Sequence, residues 1–442
     1  MIKLRFAPSP TGNLHVGNFR TALINFLYAK KHNGHFLLRL DDTDTERSKL
    51  KFEESIKEDL TWANINWDSE AKQSNRIERY NDVLKIFIEK EFVYPCYETA
   101  EELSLKRKSQ LSSGKPPVYD RSSLNLSDYE KEEFCSKGLK PHYRFFLNHE
   151  TIFWNDLIRG ECKYNLSNVS DPILVREDGR FIYTLASVID DIDLNITHII
   201  RGEDHVTNSA AQLQIFDAME AARPSMGHLP LMTDSKGEGL SKRIGSLSIK
   251  DLKKEEIESI SLNSYLSSIG TSKNTELKKG INNIIEDFDI SHFSRAPTKF
   301  NFDELNNINK KFIQQLDYTT FKSKFRDEAQ VLDEKCWNII KKNITSFKEV
   351  KEWNEIIFGQ VSDNEIDEDV REVFFKTLPD EQFDENTWVN WSQKIRENLE
   401  LKNNEIFKLM RKVLTNRVFG PEISELILIL GRDKIIERLK SK

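Results

Sequence analysis

The residues best suited to chemistry lie in the first forty positions. His15, Gly17 and Asn18 follow a turn, Ala7-Pro8-Ser9-Pro10-Thr11-Gly12, in which two prolines and a glycine forbid regular structure. A helix signal comes next, with Phe19, Ala22, Leu23, Phe26 and Leu27 at helical spacing. The start of a helix leaves backbone N–H groups unsatisfied and carries the positive end of the dipole, so a turn placed there suits phosphate. Gly17 has no side chain to hold a ligand off the backbone, and His15 adds a donor beside it. Alone, His-x-Gly is weak, because a histidine ahead of a helix is commonly its cap.

The elements that position these residues are short. Ile2 to Phe6 reads as a strand, Gly34 stops the helix, and His35 to Leu40 reads as a second strand. Strand, turn, helix and strand make a βαβ unit with the phosphate turn at the helix start. The second strand runs into Arg39-Leu-Asp-Asp-Thr-Asp-Thr-Glu-Arg47. Carboxylates at a strand's C-terminal end suit the rim of a site in an open α/β sheet, and a solvated acidic turn is the plain alternative. Phe52, Ile56 and Leu60 mark another amphipathic helix, Ile77, Tyr80, Val83, Leu84 and Phe87 a third, and Phe92 to Cys96 a strand.

The string from Arg5 to Asn18 resembles the ATP signature of class I aminoacyl-tRNA synthetases, in the form used by glutamyl-tRNA synthetases. That family carries a second signature about two hundred residues on, a Lys-Ser-Lys loop, and Gly239-Leu240-Ser241-Lys242-Arg243 stands there. The two together are far more specific than either alone. The resemblance makes Pro8, Thr11, Gly12, His15, Gly17, Asn18, Leu240, Ser241, Lys242 and Arg243 an ATP site, with His15, Asn18 and Lys242 acting on the phosphates. Gly239 replaces the loop's first lysine and leaves Lys242 as the main cation, and Gly237 and Gly239 give the loop freedom to close. For glutamate it implies Arg5, Ala7, Ser9, Asp41, Tyr183 and Arg201. Asp41 stands where the family has a glutamate that holds the α-ammonium.

Between Tyr97 and Val175 the pattern loosens into short strand signals, Lys106-Arg107-Lys108 and Gly114-Lys-Pro-Pro117. In the family an insertion here grips the acceptor end of tRNA, and Pro141-His-Tyr-Arg144 and Asp156-Leu-Ile-Arg-Gly160 match it. Many members bind zinc there through Cys-x-Cys and later ligands. This chain reads Cys96-Tyr97-Glu98 and has no cysteine near Tyr119, so no zinc is expected. Phe181 to Ala186 reads as a strand, with Asp190-Asp191 closing the helix or turn behind it, and Thr197 to Arg201 as the next strand, ending in Gly202-Glu-Asp-His205. The plain alternative for Arg201 is a surface ion pair with Glu203 or Asp204.

Beyond Ile249 the chain reads as helix-rich. Leu409 to Arg417 and Phe419-Gly-Pro421 match the family's last helical domain, with Asn416 in place of the usual glycine. The expected fold is α/β. It has a Rossmann-type parallel-sheet catalytic domain (1–96 and 176–248), an inserted α/β acceptor-binding module (97–175), a helical connector (249–318) and an α-helical anticodon-binding region (319–442).

Composition sets outer limits. The 442 residues are 38% hydrophobic and 31% charged, as in a soluble globular protein, and no apolar run nears the ~20 residues a membrane helix needs. Four scattered cysteines and no secretory h-region point to reduced thiols, a cytoplasmic location and no membrane partner. The net charge of −7 leaves any RNA contact to local basic patches. The resemblance implies ATP, Mg2+, L-glutamate and tRNA(Glu) as substrates and cofactors, and a monomer. It leaves open whether tRNA(Gln) is also charged. The competing readings are a catalytically degenerate tRNA-binding paralogue, favoured by Gly239 and Asn18, and a tRNA-independent nucleotidyltransferase, for which the helical C-terminal third has no purpose.

Overall fold

The computed structural model describes residues 1–234, 237, 247–324, 332–361 and 366–440. They fall into two compact units, Met1–Lys254 with Leu262–Asn301, and Glu255–Ser261 with Phe302–Lys442.

The first unit begins with strand β1 (Lys3–Phe6), helix α1 (Val16–Lys31), β2 (His35–Leu40), α2 (Leu50–Trp62), β3 (Ser69–Lys72), α3 (Ile77–Glu89) and β4 (Val93–Cys96). β1, β2 and β3 pair in parallel, with Leu4 opposite Phe36 and Leu37 opposite Ser69. Parallel neighbours need crossovers, which α1 and α2 supply. β2 is buried from Phe36 to Leu40, as a strand covered on both faces must be. The turn between β1 and α1 is pinned from outside: Asp41 N–H donates to the Pro8 carbonyl and Lys49 N–H to that of Pro10, both at 3.0 Å.

The chain then makes α4 (Ala100–Ser112), α5 (Asp128–Ser136), β5 (His142–Phe145), β6 (Thr151–Asp156), β7 (Gly160–Asn165) and β8 (Ile173–Val175). Both helices start with capping boxes, Thr99 with Glu102 and Ser127 with Glu130. β4, β5 and β8 form an antiparallel sheet, and β6 and β7 a hairpin. After them come α6 (Tyr183–Asp193), β9 (His198–Gly202), α7 (Val206–Ala218) and β10 (Ser225–Leu229). β10 lies parallel to β9 and meets β6 at Met226 and Asp156, giving the order β7-β6-β10-β9. Thr197 N–H donates to the Lys3 carbonyl at 3.0 Å, which sets β9 beside β1. Farther on, β11 (Met232–Thr233) pairs in parallel with β12 (Thr298–Lys299).

One expected strand is a helix. Phe181 makes only an isolated bridge to Val175, and α6 begins at Tyr183. Asp190 and Asp191 lie in the last turn of that helix, which runs on to Asp193. Leu185, Val188 and Ile189 are its buried face, packed with Tyr80, Phe87, Ile199 and Phe216. A short apolar run destined for the core carries no period that separates helix from strand.

The second unit is helical in its described residues and packs around Trp337, Trp353 and Trp391. Phe321 stacks on Trp337 with ring centroids 4.0 Å apart. Asn416 ends the helix Asn403–Thr415 at φ 51°, a left-handed position that asparagine tolerates almost as glycine does. No described helix is long and apolar enough to cross a membrane.

Candidate active site

A cleft of about 780 Å³ opens where β1, β2 and β9 end and α1 begins. His15 is the N-cap of α1, its Nδ1 accepting from the Gly17 N–H at 3.1 Å. Because Nδ1 accepts, the neutral ring carries its proton on Nε2, so one side chain can both cap the helix and offer a donor. The segment after the second signature returns to this point. Val16 N–H donates to the Leu247 carbonyl at 3.1 Å and Ile249 N–H to that of Leu14 at 2.9 Å. Gly237, on the other side of that signature, lines the cleft. Leu240, Ser241, Lys242 and Arg243 lie outside the described residues.

All the other residues singled out in the sequence, apart from Gly12, line this one cleft: Arg5, Ala7, Pro8, Ser9, Thr11, His15, Gly17, Asn18, Asp41, Tyr183 and Arg201. They come from four separate stretches of chain, brought together by the strand order.

Their electrostatics divide the arginines. Arg5 donates through Nε to Asp191 at 3.0 Å, and Arg39 forks onto Asp41 at 2.7 and 3.1 Å while also reaching Asp191 at 2.7 Å. All four are buried. Burial opposes charge on Asp191, but the Arg5 and Arg39 guanidinia outweigh it and hold the carboxyl below its usual range. On Asp41 burial wins over Arg39, and the carboxyl is pushed up to about 6.

Arg201 is different. It is also buried, yet its partners are neutral: Tyr183 Oη at 2.6 Å, Ser209 Oγ at 2.5 Å and Gln212 Oε1 at 2.7 Å. Its Nε has no hydrogen-bond partner among the described residues. The surface ion pair considered from sequence does not form: Glu203 pairs with Arg159 at 2.7 Å. A buried guanidinium without a carboxylate is costly unless an anion arrives.

Sequence reasoning missed what stands behind Arg201. Ser209 Oγ lies 2.7 Å from His228 Nε2, and His228 Nδ1 lies 2.5 Å from Asp156 Oδ2. Burial opposes charge on Asp156, but His228 and the amides of Arg159 and Ile158 pull it down to about 2. Burial lowers the His228 pKa against the pull of Asp156. Little in the sequence marked these residues, because Ser209 and Gln212 share α7 with Thr207, Asn208, Gln214 and Asp217, and only their contacts with Arg201 in the fold set them apart. Arg20 was missed as well. It lines the cleft and donates to the Ile269 carbonyl at 2.8 Å, its pKa lowered to about 10 by burial.

Away from the cleft, ligand atoms of Cys96, Glu98 and His142 lie within 4.8 Å of one another. Three donors do not close the four-ligand shell of a structural zinc site. Burial pushes the Cys96 thiol up to about 11. The Glu98 carboxylate already accepts hydroxyls of Tyr119 at 2.6 Å and of Ser122 and Ser123 at 2.8 Å. His142 Nε2 is buried without a hydrogen-bond partner among the described residues.

Comparison with known proteins gives a consistent result. Residues 1–307 match the family model described as tRNA synthetases class I (E and Q), catalytic domain, and residues 324–442 match an anticodon binding domain. Glutamate--tRNA ligase 1 of Rickettsia rickettsii is 44% identical over 441 residues, covering 99% of this chain and 98% of the relative. The enzyme of the same name from Rickettsia bellii is 43% identical over 439 residues, covering 98% of each. The crystal structure of a glutamate tRNA ligase from Elizabethkingia meningosepticum, in complex with its amino acid, superposes with a TM-score of 0.84 at 25% identity. It covers 99% of this chain and 98% of that one. By matched domains and full-length relatives alike, this chain belongs to the class I tRNA synthetases of the E and Q group, among the glutamate–tRNA ligases.

Proposed function

We propose that the chain activates L-glutamate with ATP to glutamyl-adenylate and transfers it to the 3′ end of tRNA(Glu). The observation that carries this reading is Arg201, a buried cation whose partners among the described residues are all neutral, in the cleft that also holds the capped start of α1. Glutamate's α-carboxylate attacks the α-phosphate, pyrophosphate leaves, and the terminal ribose of tRNA then takes the acyl group. No enzyme nucleophile is needed, so catalysis is positioning and charge stabilisation. His15 and Asn18 steady the phosphates, Lys242 closes over them, and Mg2+ accompanies the triphosphate. Ser9 and Asp41 hold the ammonium. Tyr183 and Arg201 meet the side chain, where glutamine would leave the Arg201 charge unmatched. Arg5 is tied to Asp191 through Nε and Nη2, and among the described residues its Nη1 is left for a carboxylate.

In this reading residues 97–175 grip the acceptor end, 249–318 connect, and 319–442 read the anticodon. The protein acts as a cytoplasmic monomer, and its inserted module folds around Glu98 and its hydroxyl donors without zinc. The test is charging with radiolabelled glutamate on purified tRNA(Glu) and tRNA(Gln). ATP-dependent charging of tRNA(Glu), with glutamine rejected, is expected. Charging of both tRNAs identifies a non-discriminating enzyme, and charging of neither leaves a degenerate paralogue. Metal analysis of the same preparation, expected to find no stoichiometric zinc, checks the last point.

A further inference from the structure

We propose that Asp156, His228 and Ser209 are positioning residues that aim the Arg201 guanidinium and keep its charge available for the side-chain carboxylate of glutamate. The inference rests on the reading of Arg201 given above.

The directions of the hydrogen bonds carry it. Asp156 receives three backbone amides, those of Ile158 and Arg159 at 3.0 Å and of His228 at 3.1 Å. A carboxylate so surrounded can only accept, so the proton between it and His228 sits on Nδ1. His228 Nε2 is then an acceptor, and takes the Ser209 hydroxyl proton at 2.7 Å. With its proton committed there, Ser209 Oγ presents lone pairs to Arg201 Nη2 at 2.5 Å. The competing acceptor for that proton, the His205 carbonyl, is farther away at 3.2 Å. Every link donates in one direction, from guanidinium to serine to imidazole to carboxylate. Gln212 is oriented likewise: its amide donates to Ser187 Oγ at 2.8 Å, so its oxygen faces Arg201.

The contrast with Arg5 and Arg39 shows what this achieves. Those two touch carboxylates directly, so their charge is largely compensated in place even where Arg5 keeps a donor for the substrate. Arg201 has its compensating charge two groups away, at the end of β6, and keeps its attraction for an incoming anion. The three supporting side chains come from β6, α7 and β10, all buried, so the aim of Arg201 is set by two strands and a helix and not by a loop.

The test is steady-state charging of tRNA(Glu) by the full-length protein, varying glutamate and ATP separately, with melting temperature recorded for each variant. Ser209→Ala removes the middle link and should raise the KM for glutamate roughly tenfold or more. The kcat and the KM for ATP should stay within about twofold. His228→Gln keeps an acceptor near the Nε2 position and should cost only about threefold, whereas His228→Leu should match Ser209→Ala. Should Ser209→Ala fail to fold, the two His228 variants carry the comparison. The relay is overturned if Arg201→Ala raises the glutamate KM while Ser209→Ala and His228→Leu do not, or if these two lower kcat alone. An unchanged glutamate KM in Arg201→Ala would instead overturn the reading of the site itself.

Discussion

On the proposed reading, Asp41 serves two partners at once. Its carboxylate is forked by Arg39 at 2.7 and 3.1 Å, and it also lines the cleft where an ammonium is to be held. Burial pushes its carboxyl up to about 6, so within the physiological range it passes from charged to neutral as pH falls. Only the charged form attracts an ammonium. The KM for glutamate should therefore rise about tenfold between pH 7 and pH 5, following a single protonation near 6. The Asp41→Asn variant should start with a high KM and show a flat profile over the same range. A wild-type profile as flat as that of the variant would remove Asp41 from ammonium binding. The family resemblance pointed to Asp41 and Arg201, but not to the division between neutralised and available arginines. That division depends on Asp191, 186 positions from Arg5 in sequence, and no spacing rule connects them.

At the scale of elements, the unit from β1 to β2 was legible because its signals are local. Two prolines, a glycine and a helical apolar stripe lie within thirty residues, and each has one structural meaning. The run from Phe181 to Ala186 was not, because Ile182, Tyr183 and Thr184 favour strands in isolation while the buried contacts of Leu185, Val188 and Ile189 settle the helix. The start of α1 also resolves a question the sequence left open, since His15 is both a cap and a lining residue of the cleft. The two roles can be separated. Asparagine is among the best N-caps, so His15→Asn should keep the stability of the first unit to within about 0.5 kcal/mol, whereas His15→Ala should lose about 1 kcal/mol. Both variants lack the ring donor, and both should slow adenylate formation about a hundredfold. Denaturant melts and pyrophosphate exchange check this together. Normal exchange in His15→Asn would reduce the histidine to a cap.

For the whole molecule, the chain's path matters more than its length. It leaves the first unit at Lys254, contributes Glu255–Ser261 to the second, returns for Leu262–Asn301, and leaves again. The short excursion is tied into the second unit, where Glu258 N–H donates to Asn309 Oδ1 at 2.9 Å. Each unit nonetheless closes a hydrophobic core of its own, one around Leu185 and Phe216, the other around Trp337, Trp353 and Trp391. Two cores with separate memberships imply two cooperative transitions. Four of the seven tryptophans, Trp337, Trp353, Trp388 and Trp391, belong to the second unit. With Trp62, Trp67 and Trp154 changed to Phe, emission follows that unit alone, while circular dichroism follows both. Every described residue assigned to ATP or glutamate lies in the first unit. A ligand at a hundred times its Kd stabilises its own unit by about 2.7 kcal/mol. ATP and glutamate should therefore move the transition of the first unit to higher denaturant and leave the fluorescence midpoint in place. If the two midpoints moved together, substrate binding and the helical unit would be thermodynamically linked, and occupancy of the cleft would then have to be transmitted to the anticodon-binding region.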